Sequence, residues 1–400
     1  MMVTTVEPQF TDGEAHSVEE VSRVSKDLMD ALTSRGAEVA RAPGLLITNE
    51  DVRRIRRYVN TGLELPTTLD EVSQLTGGQD NGIPGLGAEA IVELYLGIQA
   101  HARSWSAIET AMQKVGSDLY VFSGNLIAIA TDVVDFIKGL DSYQTLQVGD
   151  LTPSQIDAMP PVALMDQDSK RLPGLLSLVD ELKVHIKDHS ASTTRTRVGV
   201  TDFKRRLKDE IAPGVALKIR LAGSGDADDE IARLTADVDQ LNGRINHKLA
   251  EYEEYCEYKW IGFWWGLVGG AVSLSIFGPK ASKALDEKDR LIEEKRQIEK
   301  QIKQSNALLS DLLAFETSLQ DLKARVDGAA SSVSNIESLW VLLEELVDAS
   351  YDRIKNTNNA LYLVSFVSRF QTLMSNWREI QVQAFDLLTA FNNALDEPVA

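Results

Sequence analysis

The 400-residue chain predicts an all-α protein: a body of helices and a long antiparallel coiled-coil hairpin with a hydrophobic tip. Three observations carry that prediction. Apolar residues recur at helical spacing along nearly the whole chain, with no convincing alternating strand pair. Two long charged segments each hold one heptad seam. Between them lies a run of 20 uncharged residues, Trp260 to Pro279, reading WIGFWWGLVGGAVSLSIFGP between Lys259 and Lys280. A segment this apolar ends in a protein core, a partner's groove or a membrane.

In chain order, the first helix is predicted from about Ser17 to Ala40. A short helix follows Thr48, Asn49, Glu50 and Asp51, which offer N-capping side chains. Thr61 to Gly87, rich in Gly, Pro, Asn and Thr, reads as ordered loop. A long helix then covers Ala88 to Lys138. Residues 139–172, with Pro153, Pro160 and Pro161, form a second irregular connection. Another helix spans Leu175 to Glu210, where Pro213-Gly214 is expected to break it.

Beyond Gly223-Ser224-Gly225-Asp226 the pattern is most regular. Ile231, Leu234, Val238, Leu241, Ile245, Tyr252 and Tyr255 fit one 3-4 frame whose miss is Lys248. After the apolar run, Leu291, Ile298, Ile302, Leu309, Leu312, Leu319 and Val326 share a second frame, with misses at Lys295, Ser305, Glu316 and Lys323. At about 1.5 Å per residue these arms reach roughly 40 and 70 Å. An antiparallel hairpin with the apolar run at its apex is the economical arrangement. A last helical region, Asn335 to Ala394, carries Trp340, Phe366, Phe370 and Trp377 and rejoins the body. The expected organisation is therefore 1–222 for the N-terminal helices of the tail, 223–327 for neck and head with the tip at 260–279, and 328–400 for the returning helices.

Composition narrows the function. A net charge of -19 disfavours nucleic acid as a partner, because phosphate binding needs a basic surface. One cysteine, Cys256, excludes an intramolecular disulfide. The opening MMVTTVEPQFTDGEA has neither a basic n-region nor an apolar h-region, so no cleaved secretory signal is expected and export would follow lysis or another route.

Two geometries compete for the apolar run. One straight helix of 20 residues spans about 30 Å, the hydrocarbon thickness of a bilayer, but strands the two seams on opposite sides. A turn at Gly269-Gly270 leaves legs of about ten residues, roughly 15 Å each, and keeps the seams paired. A tip of that size enters one leaflet. Tyr252, Tyr255, Tyr258 and Trp260 precede or open the run, and such amphipathic rings concentrate at headgroup depth. The expected membrane-interacting residues are Trp260, Ile261, Phe263, Trp264, Trp265, Leu267, Val268, Val272, Leu274, Ile276 and Phe277. Gly262, Gly266, Gly269 and Gly270 are expected to serve the turn or close helix packing. A buried core helix and an ordinary single-pass anchor are the competing readings.

Other constellations have plainer accounts. Arg53, Arg54, Arg56 and Arg57 could meet lipid phosphate, but internal salt bridges fit a chain this acidic better, and the same holds for Lys204, Arg205 and Arg206. His185 and His189 sit four apart without the glutamate of HExxH or a third ligand, so no metal site is expected. Asp226, Asp228, Asp229 and Glu230 read as helix-capping charge. Glutamates surround Cys256 and disfavour a thiolate. Without a phosphate-binding glycine loop or a nucleophile elbow, neither a catalytic residue nor a cofactor is expected.

Several segments carry a resemblance. Tyr58-Val59-Asn60-Thr61-Gly62-Leu63-Glu64-Leu65-Pro66-Thr67-Thr68 is one. Ile83-Pro84-Gly85-Leu86, Leu94-Tyr95, His101-Ala102 and Ser104-Trp105 follow it. The Gly-rich tip precedes Phe277-Gly278, Lys280 and Ala281, and Ser365-Phe366, Phe370-Gln371 and Trp377 lie near the end. In this order the chain resembles the A component of the xenorhabdolysin-type binary α-pore-forming cytotoxins, relatives of cytolysin A. The resemblance implies an elongated helical-bundle tail, a coiled-coil neck and a hydrophobic head, in a soluble cytolysin subunit that meets a target-cell lipid membrane through that head. It also implies a B component as partner and assembly of A–B pairs into a hetero-oligomeric ring-shaped pore. The Trp264-Trp265 pair and the glutamates before it depart from the family's pattern. The rival expectation is a tethering coiled-coil protein anchored permanently in a membrane by 260–279, and a third is a cytoplasmic scaffold.

Overall fold

The computed structural model describes residues 25–26, 49–75, 83–146, 151–223, 229–269, 271–303 and 307–396. Within the helices, the side chains of 49–51, 75, 153–154, 229–230, 255–279, 281, 307, 386–387, 390–391 and 393–396 fall outside that description. The elements are α1 (Asn49–Glu64), α2 (Leu69–Leu75), α3 (Ala88–Lys138), α4 (Asp141–Leu146), α5 (Pro153–Asp157), α6 (Asp166–Ser169) and α7 (Leu172–Arg206). A π-turn (Leu207–Ile211) then leads to α8 (Ala212–Gly223), α9 (Asp229–Gly269), α10 (Ala271–Ile302), α11 (Ala307–Asn356) and α12 (Ala360–Asp396). Among the described residues there is no strand, only an isolated bridge between Ala163 and Asn359. The all-α class read from the sequence is the class observed.

Several boundaries differ from the reading above, each for a local reason. The stretch after Thr61 is more helical than its composition suggested. Helix α1 continues to Glu64, and α2 follows after Thr68, whose hydroxyl accepts from the Glu71 backbone N–H while the Glu71 carboxylate accepts from the Thr68 hydroxyl. Pro213 does not end the helix before it. The backbone widens at Leu207–Ile211, with the Ala212 N–H donating to the Leu207 carbonyl, and a new helical register accommodates the proline. The long second arm is two helices rather than one, because α10 stops at Ile302 and α11 starts at Ala307. Ser305, a miss in the heptad frame, falls between them. The predicted helix over 17–40 lies outside the described residues except for Ser25 and Lys26, which are helical.

The chain divides into two compact units. The first comprises 1–26, 122–188 and 339–379. Its core is aromatic: the Phe122 ring meets Trp340 edge-on at 4.8 Å and Trp377 at 5.4 Å between centroids, a favoured arrangement for aromatic pairs. The predicted irregular connection is tied down here. Buried Asp168 accepts from the backbone N–H groups of Asp141 and Ser142, at 3.2 and 2.7 Å, so it caps a helix from a distance. The Leu164 N–H donates to Asn358 and the Ala360 N–H to Val162, pinning 162–164 to the turn between α11 and α12.

The second unit comprises 27–121, 189–338 and 380–400. Helix α3 enters it with Ile91, Tyr95, Ile98, Ala102 and Trp105 buried. Among the described residues α3 is the one helix long and apolar enough to cross a bilayer. Its apolar face already lies in the core, which is what a bundle helix requires. Helix α1 approaches closely at Gly62, where a Cβ would sit 3.1 Å from that of Ala102. Gly85, at φ 90°, occupies the left-handed region just before α3.

Candidate functional site

The candidate site is the hairpin of α9 and α10, which carries the apolar run. Its register is written in side-chain pairs. Asn242 accepts from Lys295, Arg244 faces Glu294 and Lys248 faces Glu287. As one residue number rises the other falls, so the helices are antiparallel, and the pairs are centred between residues 267 and 269. Helix α9 ends at Gly269 and α10 starts at Ala271. The centre of this register thus falls beside Gly269-Gly270, the pair at which a turn is expected; Gly270 itself lies outside the described residues.

An apolar seam holds the pair together. Leu241, Ile245, Leu249 and Tyr252 of α9 pack with Ala284, Leu285, Leu291 and Ile292 of α10. The heptad frame passed through Lys248, but the buried residue is Leu249, 1% exposed. The seam steps 4-4-3 instead of alternating strictly, which is how a helix drifts when it follows its own 3.6-residue period. Lys248 turns outward and bridges Glu251 at 2.8 Å and Glu287 at 2.7 Å.

Against α11 the hairpin is polar. Lys288, 1% exposed, lies 2.9 Å from Asp289 and also pairs with Asp321. Arg54 of α1 reaches Asp289 and Asp321 at 3.3 and 3.2 Å, and Arg325 reaches the same two carboxylates at 3.6 and 3.5 Å. Burial pushes the Asp321 carboxyl upward, but Lys288, Arg325 and Arg54 outweigh it and hold the group far below the usual carboxylate range. One heptad on, fully buried Lys295 donates to Asn242, Glu316 and Gln320. Glu299 receives the Thr317 hydroxyl, yet burial keeps its carboxyl above the ordinary value. Nearer the apex, Lys204 of α7 bridges Asp327 at 2.8 Å and Glu253 at 2.9 Å. Burial raises the Asp327 carboxyl despite Lys204.

Of the residues expected to meet the membrane, Trp260, Ile261, Phe263, Trp264, Trp265, Leu267 and Val268 lie on α9, as do Gly262, Gly266 and Gly269. Val272, Leu274, Ile276 and Phe277 lie on α10. Their side chains fall outside the described residues. From Tyr252, the last described position of the seam on α9, the helix runs a further 17 residues, about 25 Å. The sequence reading missed Lys288, Asp321 and Arg325, although the frame's misses at Lys295 and Glu316 marked the polar face. Besides Arg54 and Lys204, three of the basic residues flagged earlier are engaged internally: Arg56 with Glu109 at 2.6 Å, Arg205 with Asp202 at 2.8 Å and Arg206 with Glu210 at 3.5 Å. His189 lies 3.7 Å from Asp118.

No protein-family model and no curated protein matches the chain by sequence. Solved structures do. YaxA from Yersinia enterocolitica is 26% identical, with 88% of this chain and 98% of that chain covered, at a TM-score of 0.49. XaxA from Xenorhabdus nematophila is 23% identical over 87% of this chain and 97% of that one, at 0.45. The fold itself is shared with soluble SmhA of the tripartite α-pore-forming toxin Smh from Serratia marcescens. There the TM-score is 0.56 over 96% of this chain and 98% of that chain, at 11% identity.

Proposed function

We propose that the chain is a soluble subunit of a two-component pore-forming cytolytic toxin. It docks the apex of the α9–α10 hairpin on a target-cell membrane and joins a second helical component in a hetero-oligomeric ring. It stays in solution until the hairpin meets lipid. The reading involves no chemical step.

The observation that carries it is the hairpin: two antiparallel helices bring an uncharged 20-residue run to their common end. Each leg of about ten residues reaches roughly 15 Å, half the hydrocarbon core. Burial of large side chains supplies the drive, about 1.5–3 kcal/mol each. A shared fold with one toxin component and the xenorhabdolysin-type motifs support the same reading. The permanent-anchor alternative is disfavoured, since it needs one straight helix across 260–279, whereas α9 ends at Gly269 and α10 returns.

The test is liposome flotation of the detergent-free chain with dye release recorded in the same tubes, alone and with the second component. Flotation alone, and leakage once the partner is added, are expected. Failure to float under either condition would overturn the docking role, and a chain that stays in solution only with detergent would return the anchor.

A further inference from the structure

Two lysines of α10, Lys288 and Lys295, are 1% and 0% exposed in their side chains and one heptad apart on the face turned toward α11. Lysine is almost never buried so completely unless paired. A charged residue at a seam position fixes register while lowering stability. The two faces of the hairpin thus differ in kind. Between α9 and α10 an aliphatic cluster, joined by Ala324 of α11, is flanked by the polar pairs 242–295, 244–294 and 248–287. Toward α11 and α1 the hairpin turns its two buried lysines, Lys288 paired with Asp321 and Lys295 with Glu316. Parting apolar faces in water costs free energy, while parted ionic and amide groups are rehydrated.

We infer that α9 and α10 leave α11 as an intact pair, through an ionic interface built to be separable. Lys288 and Asp321 form its clasp, and Lys295 with Glu316, Asn242 and Gln320 forms its second point of attachment. Separation moves the hairpin without opening its aliphatic seam or the core of the body helices. That detachment serves to free the 260–279 apex rests on the proposed function; the detachment itself does not.

Charge decides the expected mutant behaviour. In Asp321→Asn, buried Lys288, Arg54 and Arg325 lose one of their two shared carboxylates and converge on Asp289 of the hairpin itself, so the charge that ties Lys288 and Arg54 to α11 is gone. In Lys288→Met, Asp321 keeps two guanidinium groups. The double substitution Lys295→Met with Glu316→Leu makes the second attachment apolar and spares the 3.1 Å bond from Gln320 to Asn242. Replacing a buried ion pair with apolar groups of similar volume is often neutral or stabilising.

The experiment is hydrogen–deuterium exchange on the full chain in solution, without lipid. Spin-label distances between positions 244 and 294, and between 294 and 318, are measured in a Cys256→Ser background. Asp321→Asn should speed exchange in 284–299 by about tenfold or more, leaving α3 unchanged. It should also lengthen the 294–318 distance while 244–294 stays fixed. Lys288→Met should change both little, and the apolar double variant should slow exchange. Equal effects of Asp321→Asn and Lys288→Met, lengthening of both distances, or no change in either would overturn the inference. Flotation of the same variants reads the proposed function separately: a hairpin that detaches but never floats would sink that reading and leave this one standing.

Discussion

The Tyr58 hydroxyl of α1 lies 2.6 Å from Nδ1 of His101 on α3. Nε2 of the same ring lies 3.1 Å from the Phe203 carbonyl of α7, and the ring stacks on that of Phe203 at 3.9 Å. A carbonyl only accepts, so Nε2 carries the proton and Nδ1 accepts from Tyr58. One neutral imidazole therefore links three helices. A second proton would have to enter at Nδ1, where the Tyr58 hydroxyl already points, in a site with no exposure.

A pH dependence follows, with a definite sign. Burial, aided by Arg206, lowers His101 to about 4 against the opposing effects of the Phe203 carbonyl, Glu210 and Asp202. The unfolded histidine titrates near 6.5. Between those values the unfolded chain binds the proton and the folded chain does not. Stability is full above about pH 6.5, falls as pH drops toward 4, and is flat below, a loss on the order of 3 kcal/mol. Glu299 and Asp327 act oppositely, since their raised carboxyl values mean that acid relieves a folded-state cost. Comparison with His101→Gln isolates the histidine, because glutamine can both donate to Phe203 and accept from Tyr58. Urea midpoints taken from pH 7.5 to 4.5 should fall more steeply for the parent than for the variant. Parallel curves would mean that another group titrates.

Gly328 sets how closely α11 approaches α9. A Cβ there would stand 2.9 Å from the Tyr252 hydroxyl. Gly328→Ala gains about 0.5–1 kcal/mol of helix preference but meets an overpacking cost of about 1–3 kcal/mol. A net loss in thermal stability is expected, and Tyr252→Phe should restore part of it by removing the opposing oxygen. A double-mutant cycle measures the coupling; strict additivity would show that the two positions do not collide.

How much of this was legible beforehand differs along the chain. Helix α3 was bounded correctly because its apolar residues keep a 3.6-residue period from Ala88 to Lys138 between Gly87 and Gly139. The hairpin apex could be placed because two glycines fall midway along an uncharged run. The second arm was misread for a physical reason. A heptad frame treats Lys295 and Glu316 as tolerated faults, yet Lys295 is buried because Asn242 and Gln320, distant in sequence, arrive from two other helices. A polar network is a property of three helices together, so no single-helix period reveals it. The same limit hid Asp168, whose cap spans the gap from α6 to α4.

Phe122 anchors the first unit's core between Trp340 and Trp377, which are both fully buried. Phe122→Ala deletes a ring shared by two indoles and should cost about 3–5 kcal/mol. Near-ultraviolet circular dichroism and urea denaturation would report it. A loss below about 1 kcal/mol would mean that the indoles close over the gap, which close packing disfavours.

Trp264 tests the apex directly. It lies on α9 five residues before Gly269, within the last one and a half turns of the leg. If the apex enters lipid, Trp264→Asp replaces a large amphipathic ring with a carboxylate whose burial in hydrocarbon is strongly unfavourable. The loss of about 1.5–3 kcal/mol from one buried aromatic alone weakens liposome partitioning by roughly tenfold to a hundredfold. The seam from Leu241 to Tyr252 ends twelve residues before Trp264, so helicity and melting temperature should hold. Trp377→Phe, inside the body, supplies the contrast: it should lower the melting temperature and leave partitioning unchanged. Liposome binding that survives Trp264→Asp undiminished would remove the apex from the docking step.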